Sequence, residues 1–257
     1  MASAIVGGLL KHGHLPAALR CYTESGQSAR ALAALTGIHC AASIPELLDG
    51  ADLLVIAFKP QHLANRDPAL VEATAGKLVA SVMVGKTLAQ LQAAFPHARD
   101  WVRTMPNTPV RIGAGVTAWC AHAPLAEADR AHVTSLLAPL GLALEVTEPE
   151  INDIAAVSGS GPAYIFEFAA ALSAAAQHIG FTPERARQLI TQTLLGSAQL
   201  LAQSGQAPEA LRNQVTSPNG TTLAGLRQME AGRLRDILRQ TVLAAQARGL
   251  ELARDAS

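Results

Sequence analysis

Cysteine is scarce in this chain: Cys21, Cys40 and Cys120 are the only three in 257 residues, and none form a CxxC pair. A disulfide framework is excluded and a thiolate zinc site has little basis, which fits a reducing cytosol. Aromatic residues make up only 4%, so packing must come from Ala- and Leu-rich helices in close approach rather than from large rings. Neither sign of charge is in excess, with Lys+Arg and Asp+Glu both 20. A nucleic-acid partner is disfavoured, because neutralising phosphates needs a basic surplus or stripe. The longest apolar run, AYIFEFAAALSAAA (163–176), contains Glu167 and is too short to cross a bilayer. The first residues lack the basic lead of a signal peptide. His12, His14 and His39 have no carboxylate or thiol at ligand spacing, so no metal is expected. GxSxG, HExxH and Walker patterns are absent, which weakens hydrolase and NTPase readings.

What is present is a hydrophobic share of 49%, enough for a sizeable core. The chain has two textures. Up to about Glu148, short β-like runs at 19–23, 52–58, 77–83, 100–105, 113–120 and 142–147 alternate with amphipathic stretches. That alternation predicts an α/β fold with a mainly parallel, Rossmann-like sheet. DLLVIAF (52–58) is apolar on both faces, as in a strand covered by helices on each side. Beyond Glu148 only helices are predicted, with Thr182-Pro183-Glu184 as a capped start and Gly180 and Gly205 as stops. The expected domains are 1–148, a dinucleotide-binding unit, and 149–257, a helical unit. The later helices are apolar over a wide arc, so they are expected to bury that surface against a second copy.

Five segments could carry chemistry. Ala57-Phe58-Lys59-Pro60 follows the most apolar strand, at the sheet edge where ligands bind. Arg103-Thr104-Met105-Pro106-Asn107-Thr108-Pro109 makes a stiff turn at the same edge, or plain turn chemistry. Ser158-Gly159-Ser160-Gly161-Pro162 opens a long helix and reads more naturally as close packing than as an anion site. Ser217-Pro218-Asn219-Gly220-Thr221-Thr222 leads into another helix. Its first amides are donors at a positive dipole end, suited to a carboxylate, although capping alone would explain the composition. The fifth segment, the N-terminus, is notable for lacking a G-x-G-x-x-G turn.

LLVIAFKPQ, WVRTMPNTPVRIGAGVTA, AAVSGSGPAYIF and VTSPNGTTLAGL, in that order and spacing, resemble the pyrroline-5-carboxylate reductase family over nearly the whole chain. The resemblance implies an NADPH- or NADH-binding Rossmann-like domain and a helical domain that intertwines with a partner's in a homodimer. Larger rings of dimers also occur in that family. It implies reduction of L-1-pyrroline-5-carboxylate to L-proline, the last step of proline synthesis, in the cytoplasm, with no membrane or nucleic-acid partner. By position, Met1, Ala57, Phe58, Lys59, Pro60, Val82, Met83 and Val84 fall to the cofactor. Glu148 falls near the imino acid. Ser217, Gly220, Thr221 and Thr222 fall to the substrate carboxylate and ring nitrogen, with Thr222 and Ser217 as the catalytic pair. No metal is implied.

The chain departs from the family pattern in places. Members open with a strand and a G-x-G-N-M-A turn, and here Met1-Ala2 stands where its last two residues fall. Weak cofactor affinity is therefore expected of the chain as written, and a catalytically silent dimeric homologue is the alternative reading. Asn219 replaces a Gly, a mild change because Asn tolerates the left-handed region. Glu24, after the second strand position, leaves NADH against NADPH open. A β-hydroxyacid-type dehydrogenase would need a Lys in the interdomain helix, and no Lys follows Lys86.

Overall fold

Aliphatic alternation builds the sheet. In the computed structural model, which describes residues 1–255, seven strands form: β1 Arg20–Cys21, β2 His39–Cys40, β3 Leu53–Ile56, β4 Leu78–Ser81, β5 Asp100–Pro106, β6 Gly115–Ala121 and β7 Gly141–Glu145. β3 to β7 lie side by side in chain order, and β1 and β2 pair separately. All neighbours run parallel except β5 and β6, which are antiparallel with Arg103 opposite Cys120. Val79, Trp101, Ala118 and Cys120 point into one core layer, and Leu78, Ala80, Val102 and Trp119 into the other. Both faces are therefore covered, as a parallel sheet requires.

The helices follow local signals. They are α1 Ala2–Lys11, α2 Gln27–Thr36, α3 Ile44–Leu48, α4 Pro68–Ala73, α5 Leu88–Ala94, α6 Glu127–Leu137, α7 Glu148–Ile154, α8 Gly161–His178, α9 Pro183–Ser204, α10 Pro208–Gln214, α11 Thr221–Ala231 and α12 Leu234–Asp255. Thr87 and Gln90 form a reciprocal capping box at α5. Thr182 Oγ1 accepts from the Arg185 amide at the start of α9, and Gly205 ends that helix in the left-handed conformation. Among the described residues no helix is long and apolar enough to cross a membrane.

The described chain divides into two compact units, residues 1–160 with 245–255, and residues 161–244. The first unit reaches beyond the expected boundary near 148, because α7 packs on the sheet through Ile151, which is 1% exposed. α3, α4 and the two-residue β2 were not foreseen. The run 52–58 forms a strand only over Leu53–Ile56, and Ala57 and Phe58 belong to the turn after it. In the second unit, Ala186 is the one buried hydrophobic residue, while Phe166 is 66% and Leu200 56% exposed.

Candidate active site

Two of the expected cofactor segments meet at the sheet's C-terminal edge. β3 and β4 are parallel with Ile56 opposite Ser81, so the turns that leave them, 57–60 and 82–85, are neighbours there. Ala57, Phe58 and Pro60 are half-buried and Lys59 is exposed, capping a short 3-10 turn at Pro60–His62. Val82 is half-buried, Met83 is 3% exposed and Val84 54%. Gly85 turns the chain with φ of 76°. Ser81 Oγ accepts from the Met83 amide at 3.2 Å, and Thr104 Oγ1 donates to the Ser81 carbonyl at 2.9 Å.

Met1 caps α1 without a side-chain acceptor, and no acid stands in that helix's first turn. The amides of Ala2 and Ser3 thus have no intrahelical partner, and the dipole there favours an anion. The chemistry of these residues is compatible with a nicotinamide dinucleotide: Val82 and Val84 are apolar, Lys59 is an exposed cation, and the first α1 amides lack intrahelical partners.

Glu148 opens α7 and is engaged. Its Oε1 accepts from the Leu88 amide at 2.7 Å and from Arg103 Nη1 at 3.1 Å. Arg103 Nη2 also donates to Asn152 Oδ1 at 2.9 Å. Arg103 lies in the middle of β5, 3% exposed; the sequence places it in the candidate run 103–109 but does not pair it with Glu148. A charged residue at the inward position of WVRTM, between Trp101 and Met105, was the available signal. Burial pushes the neighbouring Cys120 thiol up to about 11, with the Glu148 charge acting the same way and Arg103 opposing it.

In the second unit, Gly220 caps α11 with extended backbone and no side-chain cap. The Gly220 amide donates to the Ser217 carbonyl at 3.1 Å, closing the turn. A Cβ on Gly220 would stand 2.5 Å from Ser217 Oγ and 3.2 Å from the Ser217 carbonyl oxygen, so a larger residue would force the Ser217 hydroxyl out of the turn. Asn219 holds φ of 60°, the left-handed region. Thr221 and Thr222 begin the helix and are exposed, and their amides precede the first intrahelical bond.

Ser158 and Gly159 end a single π-helical turn over Ala155–Gly159, and Ser160 caps it, its amide donating to the Ala155 carbonyl. A Cβ on Gly159 would sit 3.0 Å from Met105 Cε, so the small residues here serve close packing.

A mainly parallel sheet with ligand-facing turns at its C-terminal edge, followed by helices that hide little of their own apolar surface, defines a dinucleotide-dependent oxidoreductase with a dimerising helical half. Residues 1–85 match the family described as NADP oxidoreductase, coenzyme F420-dependent, and residues 148–252 match pyrroline-5-carboxylate reductase dimerisation. The chain is 37% identical over 235 residues to the pyrroline-5-carboxylate reductase of Escherichia coli (strain K12), covering 90% of this chain and 86% of that one. Against the Pseudomonas aeruginosa reductase it is 35% identical over 255 residues, covering 98% and 93%. The solved structure of the Coxiella burnetii reductase superposes with a TM-score of 0.91 at 34% identity, over 98% of this chain and 94% of that one. The Plasmodium falciparum enzyme, solved with NADP bound, superposes with a TM-score of 0.83 at 25% identity, over 98% and 94%. The chain belongs to the pyrroline-5-carboxylate reductase family.

Proposed function

We propose that the chain reduces L-1-pyrroline-5-carboxylate to L-proline with NADPH or NADH, the closing step of proline synthesis, as a cytoplasmic homodimer able to form larger rings. The observation that supports this reading is the run of family segments in order, with the 57–60 and 82–85 turns leaving one sheet edge and the α11 start at Gly220 free of a side-chain cap. Residues 1–148 serve the dinucleotide and 149–257 serve the dimer and the substrate.

When bound, the reduced nicotinamide supplies the hydride that the imine carbon takes up. Val82, Met83 and Val84 form the apolar wall for its ring. Phe58 backs the turn Ala57–Pro60, where Lys59 meets phosphate charge, and the α1 start behind Met1 offers amide donors. The turn at Gly220, Thr221 and Thr222 holds the substrate carboxylate at the positive end of α11: the Thr221 and Thr222 amides donate to it, while the Gly220 amide closes the turn on Ser217. Ser217 shapes that turn, and the Thr222 hydroxyl hydrogen-bonds the ring nitrogen, directly or through a water, as that nitrogen gains its proton. Glu148 meets the imino acid through the oxygen that does not bind Leu88 and Arg103. Positioning and preorganised dipoles carry the rate.

The test is oxidation of NADPH by the purified chain, dependent on pyrroline-5-carboxylate and yielding proline. Thr222→Ala is expected to lower kcat/KM on the order of 100-fold. A folded dimer that binds neither NADPH nor NADH saturably and turns over no substrate would reject the reading in favour of a catalytically silent homologue.

A further inference from the structure

We propose that Arg103 is a positioning residue for this reduction: from inside β5 it fixes Glu148, and through Glu148 it holds the loop that carries Val82, Met83 and Val84 in the shape the cofactor needs. The inference rests on the assignment of that loop to the nicotinamide side.

The loop between β4 and α5 is tied at both ends by consecutive residues of one strand. At its start, Thr104 Oγ1 donates to the Ser81 carbonyl, and the Ser81 hydroxyl receives the Met83 amide. At its end, the Leu88 amide, first in α5, donates to Glu148 Oε1, which also takes the Arg103 guanidinium. Leu88 sits 60 residues from Glu148 in sequence, so this tie is a tertiary brace and not a local cap; Thr87 and Gln90 already provide the local one. Between the ties stand Val84, 54% exposed, and Gly85 in the left-handed conformation. Such a loop has freedom to move unless its ends are held.

Burying a guanidinium is costly unless its partners are fixed. The Arg103 side chain is 4% exposed and that of Glu148 32%. Both named partners of Arg103, Glu148 and Asn152, lie one turn apart on α7. One buried cation therefore locks α7, β5 and the α5 start together. The other ion pair with a largely hidden acid, Arg99 with Asp129, makes the contrast. Arg99 also reaches the carbonyls of Gly76 and Asp52, all remote from the 82–87 loop. It supplies stability with no tie to the cofactor side.

The experiment compares Arg103→Met, Arg103→Lys, Asn152→Ala and Asp129→Asn with the parent dimer. NADPH affinity is read by fluorescence titration, KM and kcat by steady-state turnover, and amide hydrogen exchange over residues 83–88 without cofactor. Arg103→Met is expected to weaken NADPH binding about 10-fold and to speed exchange at 83–88. Arg103→Lys should recover part of both, and Asn152→Ala should show a smaller change of the same kind. Asp129→Asn should lower the unfolding midpoint and leave NADPH affinity and loop exchange unchanged. If Arg103→Met does not fold, Asn152→Ala carries the same comparison. Parent-like NADPH affinity and loop exchange in a folded Arg103→Met, or in Asn152→Ala when it alone folds, overturns the proposal. A parent protein without substrate-dependent turnover would instead overturn the functional reading, which the exchange data do not depend on.

Discussion

Asn107 donates from Nδ2 to the Ser158 carbonyl at 3.0 Å, across 51 residues of sequence. Its Oδ1 accepts from the Val116 amide at 2.9 Å, and its own amide donates to the Val116 carbonyl. One side chain, 8% exposed, thus joins the turn after β5, the start of β6 and the π-turn before α8. Asn107→Ala takes this partner from a partly buried carbonyl and a partly buried amide. The expected loss is about 2–4 kcal/mol, seen as a lower urea midpoint with unchanged slope at fixed protein concentration. Asn107→Asp is expected to be no milder, because a carboxylate oxygen would face the Ser158 carbonyl.

Gly141 opens β7 with φ of 123°, opposite Gly115 of β6. A Cβ there would stand 2.7 Å from the Gly115 amide nitrogen and closer still to its carbonyl oxygen. Gly141→Ala is expected to cost about 3 kcal/mol or more through forced strand separation. Gly50, with φ of 64° and nothing within 4 Å of an added Cβ, is the control. Gly50→Ala should cost about 1–2 kcal/mol, the left-handed penalty alone. Thermal unfolding of the two variants side by side checks the difference.

The Cys120 thiol, raised from 9.0 to about 11 chiefly by burial, should resist alkylation in the folded protein at neutral pH. The sign for stability follows from linkage. Between these two values the unfolded chain has released the thiol proton while the folded chain keeps it, so stability falls as pH rises through that window. Below the window the group makes no difference between the states. Cys120→Ala should flatten the alkaline decline relative to the parent in denaturant titrations at stepped pH.

Residues 161–244 bury a single hydrophobic side chain, Ala186, and expose Ile165 at 54% and Leu195 at 51% beside Phe166 and Leu200. Packing of that kind is complete only when a second copy covers it. Phe166→Glu is expected to weaken dimerisation about 100-fold, measured by sedimentation over a dilution series. An unchanged dimer would place the contact on another face of the helices.

The elements most legible in sequence were those with punctuation. α9 was readable from Thr182-Pro183-Glu184 and Gly205, and α11 from the hydroxyl-rich turn before it. β4 was readable as an unbroken aliphatic run. β2 was not, because two residues carry no period. The antiparallel pairing of β5 and β6 was also hidden, since alternation shows which face a residue takes and not which way its strand runs. At the candidate site, local chemistry drew attention to the runs 57–60, 103–109 and 217–222. The tie from Arg103 to Glu148 was not readable, because only the fold brings the two together. The change of texture near residue 148 marks where strands give way to helices, but the first compact unit runs on to Ser160, because Ile151, Asn152 and Ser158 find distant partners that the sequence does not show.

β3 has β4 on one side only, and its four residues are all aliphatic. Among the described residues no strand pairs with its other side, and β3 itself brings no charge or proline to that edge. At high concentration or on mild warming, that rim is where one molecule would first borrow hydrogen bonds from another, so insolubility should set in there before the central strands have begun to open.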